Sequence, residues 1–226
     1  MNKKELWIVI PAFNESAHIG KVIKPLVSIG YQILVVDDGS SDNTASIAGK
    51  AGAVVLKLEK NAGKGNALRT GFDNAVRRGA KFLITMDGDG QHHTDDVEKF
   101  VEKLNEGFEV VFSKRDFSIM PFLSKFGNWL LSAMARLFFG VYIHDTQSGM
   151  RGYTKNAYKV CRWNSNDYAV ESEAVARAGL HKLNYCEISI HTIYPKKTKG
   201  TGAIDGVKIF FRTIEWRLFP WVLKTK

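Results

Sequence analysis

The chain has 226 residues, 45% of them hydrophobic and 24% charged, which fits one globular domain and excludes disordered, collagen-like and disulfide-scaffold proteins. Lys and Arg outnumber Asp and Glu by 32 to 23, and the net charge of +9 points to anionic partners: phosphate-bearing substrates, nucleic acid or an acidic membrane surface. Cys161 and Cys186 stand far apart with no CxxC spacing, so no zinc site is indicated and two buried thiols in a reducing cytoplasm are expected.

No run reaches the about 18 consecutive apolar residues of a spanning helix. The N-terminal MNKKELWIVIP ends its short apolar stretch at Pro11 and offers no signal-peptide cleavage site. The chain is expected to be soluble or to lie on a membrane.

Leu6–Pro11 is an apolar run of strand length. Helical spacing of Ile19, Val22, Ile23, Leu26 and Val27 predicts a helix over Ser16–Ile29, with a kink or early end at Pro25. Gln32–Val36 reads as a second strand, stopped by DDGSSDNT, a loop that caps a short helix to Gly49. Ala53–Leu58 follows as a strand, Gly63–Arg78 as a helix, Lys81–Met86 as a strand, Thr94–Asn105 as a helix and Phe108–Phe112 as a fifth strand. Phe122–Phe139 is helical in period but apolar over more than half its circumference; burial is expected, with a membrane interface as the alternative. Val170–Gly179 reads as a helix and Tyr185–Tyr194 as a strand. In the tail, Val207–Leu223 mixes aromatic side chains with Lys208, Arg212 and Arg217, which suits an interfacial anchor.

Apolar strands alternating with helices predict an α/β fold with a mostly parallel central sheet flanked by helices on both faces. In such sheets ligands bind beyond the carboxyl ends of the strands. The polar clusters fall there: Asn14-Glu15, Asp37-Asp38, Asp87–Gln91 and Lys114-Arg115.

The sharpest cluster is Met86-Asp87-Gly88-Asp89-Gly90-Gln91. Two carboxylates one residue apart, with glycines between and after, can approach one Mg²⁺ or Mn²⁺, and Gln91 can add an amide oxygen. In Asp37–Thr44, Asp38 is expected to accept hydrogen bonds from a ribose or base and Asp42 to cap the next helix. Asn61–Ala67 places Gly63, Lys64 and Gly65 at a helix start, where backbone and charge favour a phosphate. Neither GxxxxGK[ST] nor GxGxxG is present, which argues against an NTPase or a dinucleotide enzyme. His92 and His93 are expected in a solvated loop, the alternative being contact with the metal motif; Tyr153 and Tyr158 are expected to pack.

Together with Ile8–Glu15, these motifs resemble the nucleotide-sugar glycosyltransferases of family 2, which have the GT-A fold. More narrowly, Val111–Arg115, Ser124–Asn128 and Asp145–Arg151 resemble the dolichyl- or polyprenyl-phosphate sugar transferases. The resemblance implies one domain over 1–226: about 1–115 for the nucleotide sugar, 116–205 for the acceptor and 206–226 as an amphipathic tail. It implies that Pro11, Phe13, Glu15 and Asp38 line the base and ribose pocket. Asp87, Asp89 and Gln91 hold the divalent ion on the diphosphate, and Arg115, Ser124 and Lys125 grip the acceptor phosphate. The loop Lys196–Lys199 meets phosphate as well, although an arginine-containing version is usual there. Trp216, Phe219 and Trp221 substitute for the C-terminal membrane helices common in the family, which places the protein in the cytoplasm on the inner face of the membrane.

The expected reaction transfers a sugar, mannose or glucose, from a GDP- or UDP-sugar to a polyprenyl phosphate with inversion. The metal held by Asp87 and Asp89 stabilises the leaving diphosphate, assisted by Lys64. A lipid phosphate is already anionic, so Arg115, Lys125, Arg151 and Lys197 position it rather than deprotonate it. A hydroxyl acceptor would need a base; Asp145 is a candidate, a salt bridge to Arg151 being its structural alternative. For Glu171 and Glu173 structural roles are expected ahead of catalysis. A sugar nucleotidyltransferase is the competing enzyme class, but AFNESAHIG lacks its glycine-rich basic signature. Nucleic-acid binding is disfavoured because the positive charges form no single run.

Overall fold

The computed structural model describes residues 1–118, 120–193 and 202–223. Among these, seven strands form one sheet: β1 (Leu6–Ala12), β2 (Gln32–Asp37), β3 (Val54–Lys57), β4 (Phe82–Thr85), β5 (Val110–Lys114), β6 (Arg151–Thr154) and β7 (Tyr185–Ser189). Their order is β3-β2-β1-β4-β6-β5-β7. All neighbours are parallel except β6, which runs antiparallel to both β4 and β5. The chain builds outward from β1 to β3, then returns to place β4 on the other side of β1. That reversal opens a crevice at the carboxyl ends of β1 and β4, the place where sheets of this kind bind ligands.

Both faces of the sheet are covered, which is why its strands read as unbroken apolar runs. Ile8, Ile10, Ile33, Val35 and Ile84 pack with α1 (Ile19–Ile29), α2 (Thr44–Lys50) and α4 (Val97–Asn105). Trp7, Val9, Leu34, Val36 and Phe112 pack with α3 (Lys64–Arg77), α5 (Phe122–Phe139), α6 (Lys155–Cys161), α7 (Val170–Leu180) and α8 (Ala203–Leu218). A Cβ at Gly71 would overlap Val9, so glycine lets α3 sit directly on β1. Phe72, Tyr153, Tyr158 and Trp163 form an edge-to-face cluster that ties α3 to β6 and α6. Tyr153 and Tyr158 pack as expected, and Tyr158 Oη donates to Asp73 at 2.6 Å.

Several boundaries differ from the sequence reading. α1 begins at Ile19, and the backbone N–H of Ser16 before it donates to Asp42. Pro25 does not end it early: the exposed ring sits on the solvent side and the helix runs to Ile29, closed by Gly30 at φ 95°. The helix expected from Thr94 opens with a 3₁₀ turn, Thr94–Asp96. β5 lies two residues later than expected, so Lys114 ends the strand and Arg115 points from its tip. β7 stops at Ser189, although a bridge pairs His92 with Thr192 beyond it; Tyr194 lies outside the described residues. β6 and α6 were not anticipated: RGYT is too short and too polar to read as a strand.

The burial expected for α5 is only half met. Leu131, Met134, Ala135 and Phe139 are buried, while Phe122, Leu123, Phe126 and Trp129 are exposed, Phe122 by 82%. α7 and α8 cover one side of this helix, and its outer face carries more apolar surface than they can bury. The tail is likewise divided. Trp216, on the inner face of α8, is buried, contrary to its expected role as an anchor, whereas Phe219 and Trp221 are exposed.

Candidate active site

A cleft of about 590 Å³ opens at the carboxyl edge of β1, β2 and β4. Pro11, Phe13, Glu15 and Asp38 are among its lining residues, as are Lys64, Asp87, Asp89, Gln91 and Arg115. The loop after β1 is held by the loop after β2. Asn14, at φ 54°, donates its N–H to Ser40 Oγ at 2.9 Å and accepts from the Ser41 N–H at 3.0 Å. The Glu15 N–H donates to Thr44 Oγ1 at 2.8 Å. Asp42 accepts from the Thr44 N–H at 2.9 Å; the N-cap itself is Asn43, so Asp42 supports the helix start from one residue earlier and is not the cap expected of it.

Asp38 is buried, and both of its oxygens accept backbone N–H groups, from Ala62 at 2.8 Å and Gly63 at 2.9 Å. It thereby draws the third motif against the second and aims the start of α3 at the cleft. The far side of that helix start is clamped by the segment before α7. A Cβ at Gly63 would overlap the carbonyl of Asn166, and one at Gly65 that of Ser165. Trp163 Nε1 donates to the Gly65 carbonyl at 2.7 Å. Glu173 anchors this segment by accepting from the N–H groups of Asn164 and Ser165, each at 2.8 Å, and from Arg177 Nε at 2.8 Å. Glu173 is thus structural, as expected.

Lys64, the first residue of α3, places its ammonium 2.8 Å from Asp87 Oδ1 and 2.9 Å from Glu171 Oε1. Burial pulls the Lys64 ammonium down, but the two carboxylates more than offset it and hold it well above the usual lysine range. Burial pushes the Asp87 carboxyl up, but the charge of Lys64 and the hydrogen bond from His92 hold it well below the usual carboxylate range. His92 is buried with Nε2 3.3 Å from Asp87 Oδ2, so the expected solvated loop is corrected at this residue; His93 is exposed. The bridge to Thr192 pulls His92 inward. Asp89 accepts from the Gln91 backbone N–H at 3.0 Å and from its amide Nε2 at 2.5 Å.

Asp87 and Asp89 present hard oxygen donors on either side of Gly88. A Cβ at Gly149 would overlap Asp87 Oδ2, so only glycine lets that loop pack so close to the carboxylate. This donor set fits a Mg²⁺ or Mn²⁺ completed by water and phosphate oxygens. Among the described residues no three His, Cys, Asp or Glu side chains form a cage by themselves.

At the other end of the cleft, Arg115 Nε and Nη2 donate to Asp145 at 2.7 and 2.9 Å, a bidentate pair. Asp145 is 1% exposed and also accepts the backbone N–H groups of Arg115 and Gln147, which leaves it no place as a general base. Its ion-pair partner is Arg115, not the expected Arg151. Arg151 is buried, and its guanidinium donates to the carbonyls of Ser148, Glu171 and Thr146. It fastens the 146–148 loop to α7 and does not face an acceptor phosphate. Ser124 and Lys125, on the first turn of α5, do not line the cleft, and Lys197 lies outside the described residues. Tyr168 and Gln147 line it without having been singled out. Glu171 lines it too, and its partner Lys64 lies over a hundred positions away in sequence, so no local pattern announces the pair.

The family model for glycosyl transferase family 2 matches residues 7–162. An uncharacterized protein of Methanocaldococcus jannaschii is 40% identical over 97% of this chain and 95% of its own length. The UDP-N-acetylglucosamine–dolichyl-phosphate N-acetylglucosaminyltransferase of Methanococcus voltae is 35% identical over 95% of this chain and 96% of its own. Among solved structures, the glucosyl-3-phosphoglycerate synthase of Mycobacterium tuberculosis, in complex with Mg²⁺ and UDP, superposes with a TM-score of 0.74 at 22% identity, covering 95% of this chain and 79% of that one. The architecture is the expected GT-A fold, and the family match, not the fold, removes the nucleotidyltransferase alternative. The chain belongs to glycosyl transferase family 2 and is a glycosyltransferase.

Proposed function

We propose that the enzyme transfers a sugar, with inversion, from a GDP- or UDP-sugar to the phosphate of a polyprenyl lipid. The observation that carries this reading is the commitment of the carboxylates around the acceptor end. Asp145 holds Arg115, Glu173 holds the segment before α7, and Glu171 is ion-paired to Lys64. These three carboxylates are engaged elsewhere, which speaks against their serving as the base that a hydroxyl acceptor needs, and an anionic phosphate needs none. Arg115, fixed by Asp145, offers that phosphate a cation in the same cleft as Asp87 and Asp89. The relative of Methanococcus voltae that acts on dolichyl phosphate supports the acceptor class.

In this reading Pro11, Phe13, Glu15 and Asp38 receive the base and ribose, and Lys64 meets the diphosphate at the start of α3. A divalent ion, Mg²⁺ or Mn²⁺, held by Asp87 and Asp89 with Gln91 adjoining, would supply Lewis-acid stabilisation of the leaving diphosphate. Arg115 orients the acceptor oxygen against the anomeric carbon, a proximity task. A single displacement of this kind inverts the anomeric centre. The lipid is reached from a membrane surface on the cytoplasmic side, on which Phe122, Phe126 and Trp129 of α5 and Phe211 and Trp221 near the chain's end rest. Lys125, Lys208 and Arg217 on the same helices suit anionic headgroups. Among the described residues no helix is long and apolar enough to cross a membrane.

The test is transfer of radiolabel from GDP-mannose, UDP-glucose and UDP-N-acetylglucosamine to polyprenyl phosphate, read in the organic phase. Label should enter lipid from one donor, stop in excess chelator, and fall by about 10²–10³ in Asp89→Asn without loss of the folded state. Label passing to a saccharide hydroxyl and not to lipid phosphate would overturn the acceptor assignment.

A further inference from the structure

Lys64 occupies a carboxylate assigned above to a metal ion. Its ammonium takes Oδ1 of Asp87 at 2.8 Å, one of the few carboxylate oxygens the cleft offers to a cation. It is simultaneously held by Glu171 Oε1 at 2.9 Å, and Glu171 is 5% exposed. The second oxygen of Glu171, Oε2, is buried and has no hydrogen-bond partner. That carboxylate therefore has acceptor capacity left for Lys64 after Lys64 lets go of Asp87. The backbone around Lys64 is rigid: Gly63 and Gly65 are wedged against the 165–166 carbonyls and Trp163 holds Gly65. Only the lysine side chain, four flexible carbons long, is free to change partner.

We infer that Lys64 is a resident counter-ion that competes with the divalent cation for Asp87, and that the donor's diphosphate ends the competition by giving Lys64 a second anion while Glu171 keeps it in the cleft. This rests on assigning Asp87 and Asp89 to a metal and diphosphate site. The local charge supports it. Asp87, Asp89 and Glu171 against Lys64 leave the site short of positive charge, yet Oδ1 of Asp87 is already taken by an ammonium. The consequence is an ordered site. Metal alone binds weakly, a nucleoside diphosphate and metal bind together much more tightly than either alone, and the coupling between them is reciprocal. Loading the leaving-group subsite only when the donor is present keeps Asp87 from holding an ion without substrate.

The experiment measures Mn²⁺ binding by the loss of the free-ion EPR signal. It uses the full chain, Lys64→Met and Glu171→Gln, with and without GDP or UDP, and folding is checked by thermal melting. In 1 M NaCl the screening length is about 3 Å, so a distant charge effect fades while direct competition for one oxygen persists. Lys64→Met should bind Mn²⁺ alone about tenfold more tightly than wild type, equivalent to about 1.4 kcal/mol, and lose most of the gain that the diphosphate gives. Glu171→Gln, which leaves Lys64 with Asp87 only, should weaken Mn²⁺ alone. Unchanged or weaker Mn²⁺ binding in a folded Lys64→Met overturns the competition. Wild type that fails to bind Mn²⁺ even with both diphosphates overturns the metal and donor site as well, which separates the two failures.

Discussion

Asp87 is the residue on which the cleft's electrostatics turn. Its carboxyl is held below the usual range, so its ionised form stabilises the fold above the unfolded-state value of about 3.9 and that contribution is lost as pH falls through the lower folded-state value. Lys64 has the opposite sign: its raised value means a contribution present below about 10.4 and lost only as pH rises above it. Asp87→Asn should therefore melt below wild type at pH 6, with the deficit shrinking as the pH is taken below about 4. A deficit independent of pH in melting curves from pH 6 to 3 would mean that the ion pair is not its source. The same residues show how far motif reading reaches. Asp87, Asp89, Gln91 and Lys64 were legible because each sits in a short local pattern. The partners of Arg115 and Arg151 were not, since Asp145 and the carbonyls of Ser148 and Glu171 approach them only through the fold.

At the level of elements, the start of α3 is the part that everything else holds in place. Asp38 grips it from β2, Trp163 from the segment after α6, and Glu173 fixes that segment from α7. Replacing Glu173 by Ala leaves Arg177 charged, 1% exposed and unpaired, and strands the Asn164 and Ser165 N–H groups. Breaking a buried pair in this way costs about 3–5 kcal/mol, which urea denaturation should show as a clear fall in midpoint. A change under about 1 kcal/mol would mean that the segment is not carried by Glu173. The helices and strands of the first half were legible from apolar runs and helical spacing. β6 was not: Arg151, Gly152 and Thr154 give it no apolar signature, and it is a strand because β4 and β5 flank it with unpaired edges. The outer face of α5 was misjudged for a different reason. Periodicity shows which residues share a face and says nothing of what covers it.

On the whole molecule, the membrane contact we propose is the exposed apolar face of α5 together with Phe219 and Trp221 after α8. Removing the tail after Gly206 would delete Ile209 and Trp216 from the core and confuse binding with unfolding. Surface substitution is the cleaner probe. Phe126→Asp with Trp129→Asp should reduce sedimentation with phosphatidylserine vesicles several-fold while leaving the melting temperature nearly unchanged, because both side chains are more than half exposed. Undiminished sedimentation would rule this face out as the one that meets the bilayer.

Thermal denaturation with Mn²⁺ and each of GDP, UDP, CDP and ADP bears most directly on the cleft as a metal-assisted donor site. A nucleotide at about 100 times its Kd stabilises by about 2.7 kcal/mol, a readily measured rise in melting temperature. GDP or UDP should raise it, CDP and ADP should not, and the rise should vanish on chelation and in Asp89→Asn. No rise with any diphosphate, or one that survives chelation, would contradict the donor site at Asp87, Asp89 and Lys64.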